Sequence, residues 1–231
     1  SAPTSIQLAC LIVGGEQLHA QDIAPVRRLW PDLAIINEYG PTEATVGCCV
    51  YACAAQEAPG AIAIGQPIAN TQMLILSPDG QPLPRYCAGE LYLAGAGLAQ
   101  GYLGLPVQTW GKFIQLDLWG QGSLRVYRSG DVALLTDSAR GFEFLGRNDD
   151  QVKIRGYRIE LGDVSACLKQ ALQLEDAHVS VHLNPFNEAE LIAYAQCPEA
   201  IGLEQMRAAL APFLPAYMWP SQLICLPRFP L

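Results

Sequence analysis

The spacing of hydrophobic and polar positions changes along the chain, and each spacing predicts a different kind of element. An apolar run over 8–13, a helical pattern over 20–29 and a short apolar run over 33–36 predict a strand, a helix and a second strand. From about residue 61 to 146, short alternating segments are separated by turn sequences such as SPDG and DSARG. This middle part therefore predicts the hairpins of a distorted barrel or sheet.

The pattern changes again at the polar residues 147–150. An amphipathic segment follows over 161–172, then the strand-like sequences VSVHL and LIAYAQC, then a second helical pattern over 203–213. We expect an α/β chain in which residues 1–148 belong to a large core with a distorted β-barrel subdomain. Residues 149–231 are expected to form a small, mobile α+β domain.

Charge and composition narrow the range of partners. The 231 residues include 14 Lys and Arg against 22 Asp and Glu, which gives a formal net charge of −8. Such an acidic chain is a poor match for nucleic acid or an anionic membrane, so neither is an expected partner. No run reaches the roughly 18 apolar residues of a membrane span, and the early apolar run lacks a basic leader and a cleavage signal. We therefore expect a cytoplasmic protein.

Cysteine and histidine offer little catalytic material. The eight cysteines contain no CxxC pair and most lie among apolar neighbours, which favours reduced core thiols over disulfides or metal ligands. Of the three histidines, His178 and His182 lie in an alternating, strand-like segment and not on a helix. The chemistry must therefore rest on carboxylates, lysines and backbone groups.

The sequence NEYGPTE, residues 37–43, directly follows a predicted buried strand. Its Gly-Pro pair predicts a turn that displays the flanking side chains at the carboxyl end of that strand, where open α/β sheets bind ligands. An amide, an aromatic ring, a hydroxyl and a carboxylate together suit a nucleotide and its magnesium ion. A polar turn in which the asparagine caps and the tyrosine packs is the structural alternative.

Two later segments carry weaker signals. In YRSGD, residues 127–131, a carboxylate at a strand edge could accept hydrogen bonds from ribose, but such a sequence is also a common hairpin end. In QVKIRGYRIE, residues 151–160, strand alternation would place Lys153 and Arg155 on one face, which suggests an anionic partner. A solvated, charged edge strand explains the same residues.

Five sequences occur in the order NEYGPTE, GELYLAGAGLAQGYL, YRSGD, GRNDDQVKIRGYRIELGD and LPAYMWP. In order and spacing they closely resemble the core motifs of adenylation domains of non-ribosomal peptide synthetases, which belong to the adenylate-forming superfamily of acyl-CoA ligases and luciferases. The resemblance covers nearly the whole chain. It implies that a carboxylate attacks the α-phosphate of ATP to give an acyl-adenylate, and that the phosphopantetheine thiol of a carrier protein then takes the acyl group. Positioning and charge neutralisation drive such chemistry, so a histidine triad is not needed.

The resemblance implies a role for each matching position in the nucleotide site. Asn37, Tyr39 and Gly40 would contact the adenine side of ATP, Thr42 would face the phosphates, and Glu43 would bind Mg²⁺.

The remaining implied roles fall in the later motifs. Asp131 would bind the ribose, Arg147 would lie near the ribose and phosphates, and Asp149 would be the hinge of the small domain. Lys153 and Gly156 would belong to a loop that moves in for thioester formation, where the glycine lets the pantetheine arm pass. Thr42, Glu43 and Lys153 are the expected catalytic residues.

Two positions depart from the family pattern. Ser129 replaces the usual threonine, which keeps a hydroxyl, and Gln100 replaces the usual arginine, for which a structural effect is expected.

The same resemblance implies part of an acyl side-chain pocket, lined by Ile12, Gly14, Glu38, Val46 and Gly47. A carboxylate facing a largely apolar pocket is costly unless a cation or a hydrogen-bond donor meets it. We therefore expect a substrate with a basic or hydroxyl-bearing side chain.

The expected partners are an amino acid and a peptidyl carrier protein with its phosphopantetheine arm, and the resemblance leaves room for a small helper protein. The family's phosphate loop and amine-anchoring aspartate are expected upstream of Ser1, and its terminal lysine beyond Leu231. The chain is thus expected to be a fragment that makes no acyl-adenylate alone. An acyl- or aryl-CoA ligase of the same superfamily and a non-catalytic interaction fragment are the alternatives.

Overall fold

The computed structural model describes residues 8–118, 120, 122–137, 139–186, 188–197 and 200–229. The chain divides into two compact units, Ser1–Asp149 and Asp150–Leu231. We refer to them as unit 1 and unit 2. The division lies next to the polar segment where the sequence predicts a domain boundary.

Unit 1 begins with a strand-helix-strand arrangement. Strands β1 (Cys10–Gly14) and β2 (Ala34–Tyr39) are parallel neighbours, and helix α1 (Ala20–Leu29) connects them. The helix begins where the Asp22 carboxylate accepts a hydrogen bond from the His19 backbone N–H at 2.8 Å, which satisfies a donor at the helix start. Antiparallel strands β3 (Cys49–Ala52) and β4 (Gln66–Pro67) complete the sheet in the order β1-β2-β3-β4.

The second sheet of unit 1 is antiparallel and has the order β5-β6-β8-β7, with β9 also beside β8. Its elements are β5 (Thr71–Leu76), β6 (Gly89–Gly95), helix α2 (Pro106–Lys112), β7 (Phe113–Asp117), β8 (Ser123–Leu135) and β9 (Phe142–Arg147). One hydrophobic cluster draws residues from both sheets, among them Tyr39, Cys49, Met73, Leu93 and Tyr127. The end of β2 is thereby fixed against the second sheet.

The predicted distorted barrel does not form among the described strands. The path of hydrogen-bonded strands in the second sheet runs from β5 to β7 and does not return to β5. The 13-residue strand β8 pairs with β7 along its first half and with β9 along its second half, so the sheet branches at β8 and stays open.

Unit 2 starts with a two-stranded hairpin, β10 (Gln151–Ile154) and β11 (Tyr157–Glu160). A three-stranded sheet follows in the order β12-β13-β14, accompanied by two helices. These elements are α3 (Leu161–Leu172), β12 (Ala177–Leu183), β13 (Ala189–Gln196), α4 (Leu203–Leu210) and β14 (Gln222–Leu226). A separate core joins helices and sheet through Val164, Leu168, Val179, Ala193, Met206 and Leu210.

All eight cysteines are free thiols in the structure, and four of them are buried. Across the described parts of the chain, no helix has both the length and the apolar character that crossing a membrane requires.

Candidate functional site

Two predicted site residues, Tyr39 and Arg147, donate hydrogen bonds to the carboxylate of a third, Asp131. The Tyr39 hydroxyl donates a hydrogen bond to Asp131 Oδ2, and Arg147 Nη1 donates to Asp131 Oδ1. Asp131 is only 5% exposed, so this carboxylate is held in a largely dry environment. Burial, and then the neighbouring Asp131 charge, raise the pKa of Tyr39 well above its usual value. The tyrosine is therefore a neutral donor at physiological pH.

The backbone that carries Asp131 is not the hairpin end that YRSGD suggests. Residues 127–131 lie inside β8, where the pairing with β6 shifts register, and Gly130 has a φ of +78°. Ser129 Oγ donates to the Leu91 carbonyl oxygen at 2.6 Å and accepts from the Asp131 backbone N–H at 3.0 Å. The hydroxyl kept at Ser129 thus fixes the irregular strand that presents Asp131.

Arg147 links Asp131 to the predicted hinge residue. Its Nε and Nη2 atoms donate to the two Asp149 carboxylate oxygens at 2.7 and 2.8 Å, and Lys112 Nζ lies 3.6 Å from Asp149 Oδ2. A Cβ on Gly130 would come within 2.3 Å of Asp149 Oδ2. The paired side chains of Arg147 and Asp149, the Arg147–Asp149 fork, therefore lie so close to residue 130 that only glycine fits there. We call Tyr39, Asp131, Arg147 and Asp149 the Asp131 cluster.

Asn37 lies on the same strand as Tyr39 and not in a loop after it. The strand β2 continues to Tyr39 because residues 36–39 pair with β3, Asn37 lying opposite Tyr51. The Asn37 side chain is 2% exposed, and its amide donates to the Ala63 carbonyl oxygen at 2.9 Å. In this structure the amide N–H thus holds a backbone segment outside the strands, whereas the structural alternative expected the asparagine to cap a turn.

Glu43 is held inside the turn that follows β2. Residues Thr42–Ala44 form a 3-10 turn, in which Thr42 is exposed and Glu43 is 7% exposed. The Tyr102 hydroxyl donates to Glu43 Oε1 at 2.5 Å. Burial, followed by this hydrogen bond, raises the pKa of Tyr102. A buried carboxylate of this kind suits Mg²⁺, which binds one or two carboxylates together with phosphate and water oxygens.

Backbone strain marks the segment after that turn. Thr45 and Val46 are β-branched residues with φ near +60°, a conformation in which such side chains are outliers. Thr45 Oγ1 donates to the Gly97 carbonyl oxygen at 2.6 Å, which helps to hold the segment. A Cβ on Gly40 would lie 1.7 Å from the Val46 carbonyl oxygen, so Gly40 is required for this fold of the chain. Strain of this kind is typical of functional sites.

The residues of the predicted acyl pocket lie together. Gly14 is paired with Glu38 across β1 and β2, and alternation places Ile12 on the same face as Gly14. A Cβ on Gly47 would lie 2.1 Å from Glu38 Oε1, so the carboxylate lies directly over the Gly47 backbone. Val46, next to Gly47, has a 61% exposed side chain.

The predicted residues of unit 2 lie on and around the β10–β11 hairpin. Lys153 is exposed on β10, whereas Arg155 and Gly156 form a two-residue turn in which both have positive φ. The expectation that Lys153 and Arg155 share one strand face is therefore wrong, because strand alternation stops at Ile154.

Three residues of the site were not among the sequence candidates. Tyr102 contacts Glu43, Lys112 approaches Asp149, and Gly130 leaves room for the Asp149 carboxylate. The glycine was the one detectable from sequence, since it separates two polar residues inside an otherwise strand-like run. The backbone of Gln100, the position where the family pattern has an arginine, accepts a hydrogen bond. Arg125 Nη2 donates to the Gln100 carbonyl oxygen at 2.9 Å.

Comparison with known proteins shows which family of enzymes this chain resembles. Residues 2–103 match the family of AMP-binding enzymes. Bacitracin synthase 3 of Bacillus licheniformis is 40% identical over 96% of this chain, and tyrocidine synthase 3 of Brevibacillus parabrevis is 37% identical over the whole of it. The chain is therefore part of an adenylation domain of the non-ribosomal peptide synthetase type.

Solved structures agree with this assignment. The chain superposes with a TM-score of 0.82 and 30% identity on PA1221, an NRPS protein containing adenylation and PCP domains. It superposes with a TM-score of 0.83 and 25% identity on the Vibrio cholerae adenylation domain AlmE, solved in complex with glycyl-adenosine-5'-phosphate. It covers 38% and 42% of these two chains, and only 4% of each of the two synthetases.

Proposed function

We propose that the parent protein of this chain activates an amino acid with ATP and transfers it to the phosphopantetheine thiol of a carrier protein. The observation that carries the proposal is the Asp131 cluster, in which the Tyr39 hydroxyl reaches the buried carboxylate of Asp131, 92 positions away in the sequence. Adenylation domains among the relatives support the reaction class. A cytoplasmic location remains a prediction.

In the adenylation step, Asp131 would accept hydrogen bonds from the ribose hydroxyls. The side-chain donors Tyr39 and Arg147 approach one oxygen each and hold the carboxylate in place. The Arg147 guanidinium, which carries a permanent positive charge, would stabilise negative charge on the phosphate side. Asn37 and Gly40 are proposed at the adenine, where the Asn37 amide oxygen would accept a hydrogen bond from a base edge.

Glu43 would hold Mg²⁺ at the phosphates, where the ion neutralises charge as pyrophosphate leaves. Tyr102 would keep the Glu43 carboxylate in one orientation, because its raised pKa leaves the hydroxyl protonated as a donor. The exposed Thr42 hydroxyl, one residue earlier, would donate to a phosphate oxygen. Glu43 and Thr42 thus act by positioning and charge, without proton transfer.

For thioester formation, we propose that unit 2 is the small mobile domain and unit 1 part of the large core. Asp149, at the junction of the units, would be the hinge, and Lys153 would face the anionic groups of the incoming arm. A Cβ on Gly156 would meet open space in the described part of the chain, so the turn leaves room for the pantetheine.

The residues of the proposed acyl pocket indicate the chemical character of the substrate side chain. Glu38 is partly buried and lies close to Gly14 and Gly47. The apolar residues Ile12 and Val46 come two positions before Gly14 and one before Gly47. Since an unmet carboxylate there would be costly, we propose a substrate whose side chain is basic or carries a hydroxyl. Replacing Glu38 with Ala should reduce the preference for that substrate over an apolar analogue by about tenfold or more. The exposed Asp32→Ala variant is the control, and an unchanged preference in Glu38→Ala would exclude the pocket assignment.

Amino-acid-dependent ATP–pyrophosphate exchange tests the proposed reaction. The adenylation domain of the parent protein should exchange label only when the correct amino acid and Mg²⁺ are present. Because the 231-residue chain covers less than half of the solved adenylation proteins, we propose that it gives no exchange alone. Transfer to a carrier-protein thiol, and not to free coenzyme A, separates the proposal from an acyl-CoA ligase. Absence of exchange by the complete domain with all common amino acids would refute it.

A further inference from the structure

Unit 2 holds two cysteines beside each other at one end of its three-stranded sheet. Strands β13 and β14 are parallel, and Ala195 lies opposite Cys225. The ladder continues beyond β13, because the Cys197 backbone N–H donates to the Leu226 carbonyl oxygen at 3.2 Å. Residues two apart on a strand share a face, so Cys197 and Cys225 are diagonal neighbours on one face of the sheet.

The two thiols differ in their surroundings. Cys197 is buried and Cys225 is partly exposed. The Ile201 backbone N–H donates to Cys225 Sγ at 3.4 Å. Burial, and then the hydrogen bond and charge of the neighbouring Cys225 thiol, raise the pKa of Cys197 to about 11. Because Cys225 is the more exposed of the two, it is the thiol that a dissolved oxidant reaches first, and Cys197 is the neighbouring thiol.

We propose that Cys197 and Cys225 are a redox-sensitive pair that closes to an intramolecular disulfide when the chain meets a hydroperoxide. Cys225 loses its proton and its sulfur attacks one oxygen of hydrogen peroxide; the O–O bond breaks, Cys225 sulfenic acid forms, and the leaving hydroxide takes up the proton from the thiol to give water. The Cys197 sulfur then attacks the sulfenic sulfur, the S–S bond forms, and the hydroxyl leaves with the Cys197 proton as a second water. Two thiols lose two electrons and the peroxide gains them.

The link would have a structural consequence inside unit 2. It would join the end of β13 to β14 across the segment that contains α4 (Leu203–Leu210), and so restrict the unfolded chain. Oxidised protein should therefore melt at a higher temperature than reduced protein, by about 5 °C or more, and dithiothreitol should reverse the shift. This inference does not depend on the proposed adenylation activity.

Peptide mapping of the purified 231-residue chain tests the pair directly. After mild treatment with hydrogen peroxide and alkylation of the remaining thiols, mass spectrometry should find the peptides of Cys197 and Cys225 linked, with the loss of two hydrogens. Cys225→Ser should abolish the linked peptide, whereas Cys87→Ser, a change at an exposed thiol, should leave its yield unchanged.

If a variant fails to fold, the peptide map of the wild-type chain alone decides whether Cys197 and Cys225 form a disulfide. Alkylated Cys197 beside a sulfinic or sulfonic Cys225 would overturn the proposal, because it would show that the neighbouring sulfur cannot reach the sulfenic acid. Linkage of Cys225 to any other cysteine, or between two chains, would overturn it as well.

Discussion

At the scale of single residues, Gly130 decides whether the Asp131 cluster can form. Its φ of +78° already disfavours any side chain, and a Cβ would also meet Asp149 Oδ2 at 2.3 Å and Arg147 Nη2 at 2.8 Å. These atoms are ends of side chains, but the bidentate bond between them prevents an easy shift. Crowding therefore adds to backbone strain at this position.

Replacing Gly130 with Ala should lower the free energy of unfolding by about 2 kcal/mol, measured by urea denaturation. Gly104→Ala is the matched control, since Gly104 has a similar φ of +72° but a Cβ there would meet no described atom within 4 Å. That control should cost about 1 kcal/mol, the strain alone. Equal losses in the two variants would mean that the Arg147–Asp149 fork does not depend on Gly130.

Tyr102 gives a prediction for pH dependence. Its pKa is raised from the ordinary value of 10.0, so the folded protein keeps the proton at pH values where the unfolded chain loses it. The stability contributed by this group is complete below about pH 10 and is lost as pH rises through the folded-state pKa. Tyr102→Phe should cost about 1–2 kcal/mol at pH 7 and make the fall in stability between pH 10 and 11 shallower, measured by denaturation at each pH. An unchanged slope would contradict the role of the Tyr102–Glu43 bond.

The residue types of the site could be predicted from the sequence, but their contacts could not. Tyr39, Asp131 and Arg147 were candidates by type and motif, and the structure brings them together. Tyr102 was missed because it lies 59 residues from Glu43, and nothing local in its sequence indicates a carboxylate partner. Asn37 was expected at the ligand, yet its amide hydrogen bonds to the Ala63 carbonyl oxygen, 26 positions away, a contact that only the folded chain creates.

At the scale of elements, local periodicity predicted the bounds of two helices, whereas α4 ends at Leu210 and not at residue 213, and α2 was not predicted. Helices α1 and α3 have the bounds that their apolar spacing predicts, since that spacing is contained within each helix. Strand β2 runs farther than predicted because pairing with β3 extends it, and β8 runs through YRSGD because three strands flank it. Strand ends thus depend on partners that are distant in sequence.

The β10–β11 hairpin gives a prediction at this scale. Arg155 and Gly156 have φ values of 54° and 78°, as a type I′ turn requires at its two central positions. Gly156→Ala should therefore lower the free energy of unfolding of unit 2 by about 1 kcal/mol. Chemical denaturation followed by circular dichroism measures the loss.

Gly162→Ala is the matched control for the hairpin. Gly162 lies near the start of α3 in a helical conformation, and a Cβ there would meet no described atom within 4 Å. Alanine should thus stabilise the helix by about 0.5 kcal/mol. A loss of stability in Gly162→Ala, or none in Gly156→Ala, would show that the turn does not impose its conformation on the chain.

At the scale of the whole molecule, the hydrophobic clusters of the two units share no residue among the described parts of the chain. The cluster that contains both Tyr39 and Tyr127 belongs to unit 1, and the cluster that contains Val164 and Met206 belongs to unit 2. The sequence predicts a boundary at the polar segment 147–150, and the division in the structure lies between residues 149 and 150. The open second sheet was not predictable, because alternating strands fit a barrel and a branched sheet equally well.

The central claim is that the Asp131 cluster binds the adenosine part of ATP. Equilibrium binding of Mg-ATP to the adenylation domain of the parent protein, measured by titration calorimetry, tests it most directly. Asp131→Asn keeps the shape of the side chain but weakens the charge-assisted hydrogen bonds to the ribose, so Kd should rise by about 30-fold or more. Asp117→Asn, a change at an exposed carboxylate at the end of β7, should leave Kd within about twofold. Equal affinities of wild type and Asp131→Asn would contradict the account.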